Sequence, residues 1–216
     1  MSSFYEPWFE DGELPEECFL KDGQDPKVYY SSDLDSDIYY LRSNYFLILG
    51  ESSYNGPAES NLKQEVESLC RAERATIGLY GYQYTDTRHG VYSSGQYISS
   101  YSIKRYDYQI YLFVPMPDSL FLDKARIGLS CRDLTSEDRL TAKRNVGAIV
   151  SVVYEGSPAF YANISRGDVI SEVNGKTITN VDDLDKVFNN ASSSDVLNIT
   201  LYRNGMPYNV SLSPLY

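Results

Sequence analysis

The chain has 216 residues, 42% of them hydrophobic, and carries a net charge of −11. Such a length holds one or two compact cores of the usual ~100–150 residues, and no run approaches the ~20 consecutive apolar residues of a membrane-spanning helix. The acidity is concentrated in residues 1–37, where only Lys21 and Lys27 stand among eleven Asp and Glu. No basic face is available to displace counterions from a phosphate backbone, which argues against nucleic acid and anionic membrane as partners.

Residues 1–37 interleave Phe4, Tyr5, Trp8, Phe9 and Phe19 with acids and keep neither a helical nor a strand period, so an irregular acidic-aromatic arm is expected. It either packs on its own domain or docks a partner through its rings. No export signal is visible in residues 1–20, although a leader removed ahead of Met1 would leave the same beginning. An α/β domain is expected over residues 38–114. Ile38–Arg42 reads as a short helical piece and Tyr45–Gly50 as a buried strand. A helix should then run from Pro57 to Arg74, with Leu62, Val66, Leu69 and Ala72 on one stripe. With Ala75–Tyr80 as the next strand, these make a βαβ unit.

Tyr80, Tyr82 and Tyr84, and again Tyr106, Tyr108 and Ile110, alternate at strand period, joined by a Ser/Gly/Tyr-rich excursion from Asp86 to Ser102. This Tyr-rich sheet face is either a contact surface or the half-wet side of a sheet. Val114-Pro115-Met116-Pro117-Asp118 ends the strand, because neither proline donates a ladder hydrogen bond, and residues 115–125 read as a linker.

Cys18, Cys70 and Cys131 are odd in number and show no CxxC spacing, which fits neither a zinc site nor a full disulfide framework; one pair plus a free thiol stays open. His89, the single histidine, lies in a polar stretch with no nucleophile motif to serve. No catalytic residue, metal site or cofactor is expected.

From residue 126 onward the elements are short and sharply bounded. Strands are expected at Arg126–Arg132, Gly147–Val153, Asp168–Asn174, Lys176–Ile178, Asp195–Arg203 and Pro207–Ser213, with a helical turn at Ser136–Leu140 and helices at Ser157–Ala162 and Val181–Asn190. Ser157 and Asn180 are helix caps, Pro158 suits a first helical position, and Asn174-Gly175 and Asn204-Gly205 are tight-turn signals.

Gly147–Ala159, Arg166–Ile170, Val173–Lys176 and Tyr202–Gly205, taken in this order, resemble the PDZ domains of bacterial HtrA-type and site-2 proteases. One departure is Asn163 where those domains usually have Gly; Asn is the next best residue for the left-handed backbone needed there. The resemblance implies a PDZ-type β-barrel or sandwich with two helices over residues 126–216, which with the small α/β domain and Tyr-rich sheet read before it makes an α+β chain. It also implies peptide binding by β-augmentation, with a terminal carboxylate held by backbone amides. Carried over, the carboxylate loop is Ile127-Gly128-Leu129 and the strand edge continues through Ser130 and Cys131. Leu184 and Phe188 face the ligand's last side chain, and Arg126 adds charge.

The implied partner is a protein or peptide with an extended apolar tail. A homo-oligomer is the alternative, since Ser213-Pro214-Leu215-Tyr216 is itself such a tail, and the groove is otherwise open to occupation by the chain itself. More loosely, Gly50–Gly56, Tyr84–Thr87 and Arg105–Tyr108 make the whole chain similar to uncharacterised bacterial envelope PDZ-domain proteins. That likeness implies a periplasmic or envelope location.

Overall fold

A computed structural model describes residues 4–95 and 97–215. They divide into two compact units, one of residues 1–41 and 46–117, the other of 42–45 and 118–216. The first unit is a five-stranded sheet in the order β1-β3-β5-β4-β2, built from β1 (Tyr5–Pro7), β2 (Lys27–Tyr30), β3 (Phe46–Pro57), β4 (Ile77–Ser94) and β5 (Tyr97–Pro115). Helix α1 (Leu34–Ser43) covers the face that presents Ile48, Ile77, Leu79 and Phe113. Helix α2 (Leu62–Ala72) covers the opposite face of Ile110, Leu112 and Val114. Gly78 is small because α2 lies close: a Cβ there would meet Cys70 Sγ at 2.6 Å and Val66 at 2.8 Å.

Several expectations for this unit are corrected. The stretch 1–37 is not an irregular arm throughout, because β1 pairs antiparallel with β3 and β2 pairs parallel with β4, giving the sheet both its edges. Asn55-Gly56-Pro57 does not interrupt β3; these residues pair with Asp107, Tyr106 and Arg105 of β5. The helix that follows therefore begins at Leu62 rather than Pro57. Residues 86–94 and 97–102 are no loose excursion but the outer half of one long β4–β5 hairpin, in which His89 pairs with Ser102 and hydrogen-bonds its hydroxyl at 2.8 Å. The βαβ unit is split, since β5 lies between β3 and β4.

The tyrosine alternation lies on the α2 face, where it divides into two environments. Tyr108 is 2% exposed, donates to Pro57 O at 2.7 Å and accepts from Glu59 N at 3.1 Å. Beyond the reach of α2, Tyr82 and Tyr84 stay about half exposed and meet Tyr106 edge-on.

In the second unit a sheet runs β11-β10-β8-β7-β6, with β9 (Lys176–Thr177) paired to β8. The strands are β6 (Leu129–Asp133), β7 (Ala148–Val153), β8 (Val169–Val173), β10 (Leu197–Arg203) and β11 (Met206–Leu212). Four helices accompany them: α3 (Asp118–Ile127), α4 (Ser136–Ala142), α5 (Pro158–Tyr161) and α6 (Val181–Asn189). One of these departs from expectation. Residues 118–125, read as linker, form most of α3, and Arg126 and Ile127 complete that helix instead of opening a strand. Local chemistry accounts for the other boundaries. Ser157 Oγ accepts from Phe160 N at 3.3 Å and Asn180 Oδ1 from Asp183 N at 2.9 Å. Asn163 adopts φ 57°, and Asn174-Gly175 and Asn204-Gly205 have positive φ at both residues, as tight hairpin turns need.

One ion pair fixes the second unit's interior. Asp168 is fully buried and accepts from Arg203 Nε and from a terminal guanidinium nitrogen, each at 2.7 Å, while Ser165 N donates to it at 2.8 Å. The Gly-Asp-Val-Ile and Tyr-Arg-Asn-Gly stretches are thus two halves of one contact.

Candidate functional site

Strand β6 is the last in its sheet: it pairs with β7 on one side and, among the described residues, with no strand on the other. Helix α6 packs beside it. An unpaired edge beside a helix is the arrangement in which an extended chain would lie, the edge's backbone groups being the template for an added strand. The half-buried side chains Leu129 and Cys131 from β6, with Val187 and Ala191 from α6 and its end, rest against the apolar core between these elements.

The expected site residues occupy this region but differ in availability. Gly128 ends α3 in the left-handed region at φ 94°, donates to Lys124 O at 2.9 Å and accepts from Tyr154 N at 3.0 Å. A Cβ at this position would stand 1.8 Å from Ser157 Oγ, so only glycine allows the loop to close on the Ser157 turn. Ile127 and Leu184 are 6% and 1% exposed and belong to the core, with Phe188 at 9%. On α6 and just past its end, Val187 and Ala191 are only partly buried against the same core, and the i, i+4 reading did not name them. Their half-burial, absent from sequence periodicity alone, is the signal that finds them.

Arg126 departs from its expected role. Its guanidinium donates to Phe188 O at 2.6 Å and Ala191 O at 2.7 Å, which ties the end of α3 to the end of α6 and leaves it committed to the fold rather than to a ligand carboxylate. Ser130 shares a hydroxyl contact of 2.9 Å with Tyr154, and its carbonyl accepts from Ser151 Oγ at 2.9 Å. Burial pushes the Cys131 thiol up to about 12, and the Cys70 thiol likewise, so at neutral pH both are protonated packing groups rather than nucleophiles. Among the described residues, none of Cys18, Cys70 and Cys131 is in a disulfide. Leu215 N donates to Arg126 O at 2.7 Å, so the segment after β11 returns to the mouth of the groove. Tyr216, the last residue of the expected tail, lies outside the described residues.

Residues 125–213 match the PDZ domain family. A probable periplasmic serine endoprotease DegP-like protein of Marinomonas sp. (strain MWYL1) is 27% identical over 94 residues. That match spans 43% of this chain and only 20% of the relative's length. Among solved structures, the HtrA3 PDZ domain bound to a phage-derived ligand is 25% identical and aligns over 41% of this chain and 83% of that one, with a TM-score of 0.36. The HtrA-type protease AlgW with a decapeptide is 17% identical over 48% of this chain and 36% of that one, with a TM-score of 0.38. A serine endoprotease from Yersinia pestis is 22% identical over 49% of this chain and 39% of that one, at 0.34. Residues 125–213 of this chain are a PDZ domain.

Proposed function

We propose that the chain is a non-catalytic adaptor that captures an extended protein tail in the groove between β6 and α6. The observation that carries this reading is the free edge of β6 beside α6 within a segment that matches the PDZ domain family. The added strand takes backbone hydrogen bonds from β6, its end approaches the Ile127-Gly128-Leu129 turn, and its apolar side chains rest on Leu129, Cys131, Val187 and Ala191. A short added strand binds in the micromolar range. A periplasmic or envelope location is proposed by analogy with the DegP-like relative, a probable periplasmic endoprotease.

A second reading, that this groove serves assembly or self-occupation, is favoured by one observation: Leu215 already bonds to Arg126 O at the groove's mouth. Both readings are tested with the full chain, using a library of free-carboxylate peptides with apolar ends and their amidated counterparts, on wild type and on Val187→Glu. Saturable binding that weakens by about tenfold or more on charging this contact supports the adaptor. Loss on amidation adds the carboxylate preference. Binding indifferent to Val187→Glu, or no binding at all, overturns the adaptor. If instead binding emerges only when residues 214–216 are deleted, self-occupation takes its place.

A further inference from the structure

The PDZ groove leaves the first unit without a role, yet that unit contains a cleft of about 400 Å³ between the N-terminal segment and the end of α2. Its walls bring together the rings of Tyr5, Phe9 and Phe19 with the carboxylates of Asp11 and Glu73. We propose that this cleft holds an organic cation, an ammonium or guanidinium group on an apolar stem.

Three features converge on that chemistry. The first is uncompensated charge. Arg74, the cation lining the cleft, is already engaged by Glu16 at 2.8 Å, whereas the carboxylates of Asp11 and Glu73 have no hydrogen bond or ion pair among the described residues. Glu73 is held above the usual carboxylate range by burial first and by the charge of Asp11 second, a penalty that a bound cation would relieve. The second is the aromatic lining. Phe19 already has the Arg74 guanidinium over its ring at 5.3 Å, and Tyr5 and Phe9 offer further rings in the same cleft. The third is Tyr5 itself, which lines the cleft and whose hydroxyl, among the described residues, is buried without a hydrogen-bond partner.

The cation is organic rather than metallic because, among the described residues, no three His, Cys, Asp or Glu side chains are grouped so as to hold a metal ion. A weakly hydrated ammonium on a hydrocarbon stem instead uses the rings and the carboxylates together. The position at the end of α2 adds to this, since the carbonyl end of a helix favours positive charge. Among the acids and aromatics interleaved along residues 5–19, Tyr5, Phe9, Asp11 and Phe19 thereby acquire one purpose, as the rings and a carboxylate of a cation site.

The test is a titration of the full chain, followed by amide chemical shifts, with butylammonium, with its neutral isostere 1-butanol, and with a capped Gly-Lys-Gly peptide. Saturable shifts of cleft residues with butylammonium and not with butanol are expected. They should weaken about tenfold in the Asp11→Asn, Glu73→Gln double variant and severalfold in Phe9→Leu. The double variant should fold as well as wild type, because it removes a like-charge pair with no partner to lose. In wild type the Glu73 carboxyl should also titrate lower when butylammonium is bound. Tighter binding of the peptide than of butylammonium identifies a lysine side chain of a protein as the source; equal binding identifies a free amine. Absence of saturable shifts from any of the cations, equal binding of butanol, or unchanged affinity in the double variant overturns the proposal. Since the shifts are read in the first unit, a failed PDZ titration is a separate result.

Discussion

The two units differ in the sequence distance over which their shapes are specified. In the second, each boundary is set by residues within a few positions of it: Ser157 and Asn180 cap their own helices, Thr135 and Asp138 form a reciprocal capping box, and Asn204-Gly205 turns its own hairpin. In the first, the decisive contacts are remote. Tyr5 pairs with Ser52, Lys27 with Ile77 and Asn55 with Asp107, so each strand is defined by a partner that local chemistry does not announce. The comparison separates a fold whose edges are locally coded from one whose edges are assigned by tertiary pairing.

The sharpest way to break the locally coded unit is through its buried long-range ion pair. Arg203→Ala removes both guanidinium bonds to Asp168 and leaves a fully buried carboxylate with a single backbone donor. A loss of about 3 kcal/mol is expected, at the low end for a broken buried pair because the Arg203 side chain is itself 34% exposed. Urea unfolding of the full chain measures it, and a loss below about 1 kcal/mol would show that the pair is solvated in solution. The corresponding cut in the first unit is Tyr108→Phe. It leaves Pro57 O without its donor and Glu59 N without its acceptor in a 2%-exposed setting, for an expected loss of about 1–3 kcal/mol. Tyr84→Phe, on the same face but half exposed, serves as the control and should be close to neutral. Ser157→Ala ranks next, at about 1 kcal/mol, because it deletes the cap of α5 and the 2.6 Å bond to Tyr154 O together.

The same contrast explains what the sequence disclosed. The order of elements after residue 128, the left-handed Asn163 and the turn at Asn204-Gly205 were legible because capping and turn chemistry act within a few residues. The α2 stripe of Leu62, Val66 and Leu69 was legible through helical period. The edge strands in residues 1–37 were not, since three- and four-residue strands amid acids carry no period of their own. Pro57 misled in the same way: it suits a helix start, yet here it closes a long strand paired to Arg105. The β6 strand was readable from motif, whereas its expected start at Arg126 was not met, because Arg126 and Ile127 complete α3. Whether Arg126 faces a ligand or the carbonyls at the end of α6 depends on where α3 ends relative to α6, which no local signal encodes.

The smallest expected effect tests local coding most directly. Asp138 accepts from Thr135 N at 2.8 Å and from Arg132, and these bonds hold its carboxyl well below the usual carboxylate range. A carboxyl depressed in the folded state contributes stability above its unfolded pKa of about 3.9 and loses it as the pH falls toward the folded value. Asp138→Asn should therefore cost about 1 kcal/mol or less at pH 7, with the deficit shrinking as the pH drops below about 4. Thermal unfolding of both proteins at neutral and acid pH reads this out. A deficit constant with pH would mean that the Asp138 charge is irrelevant and that only the shape of the capping box supports α4.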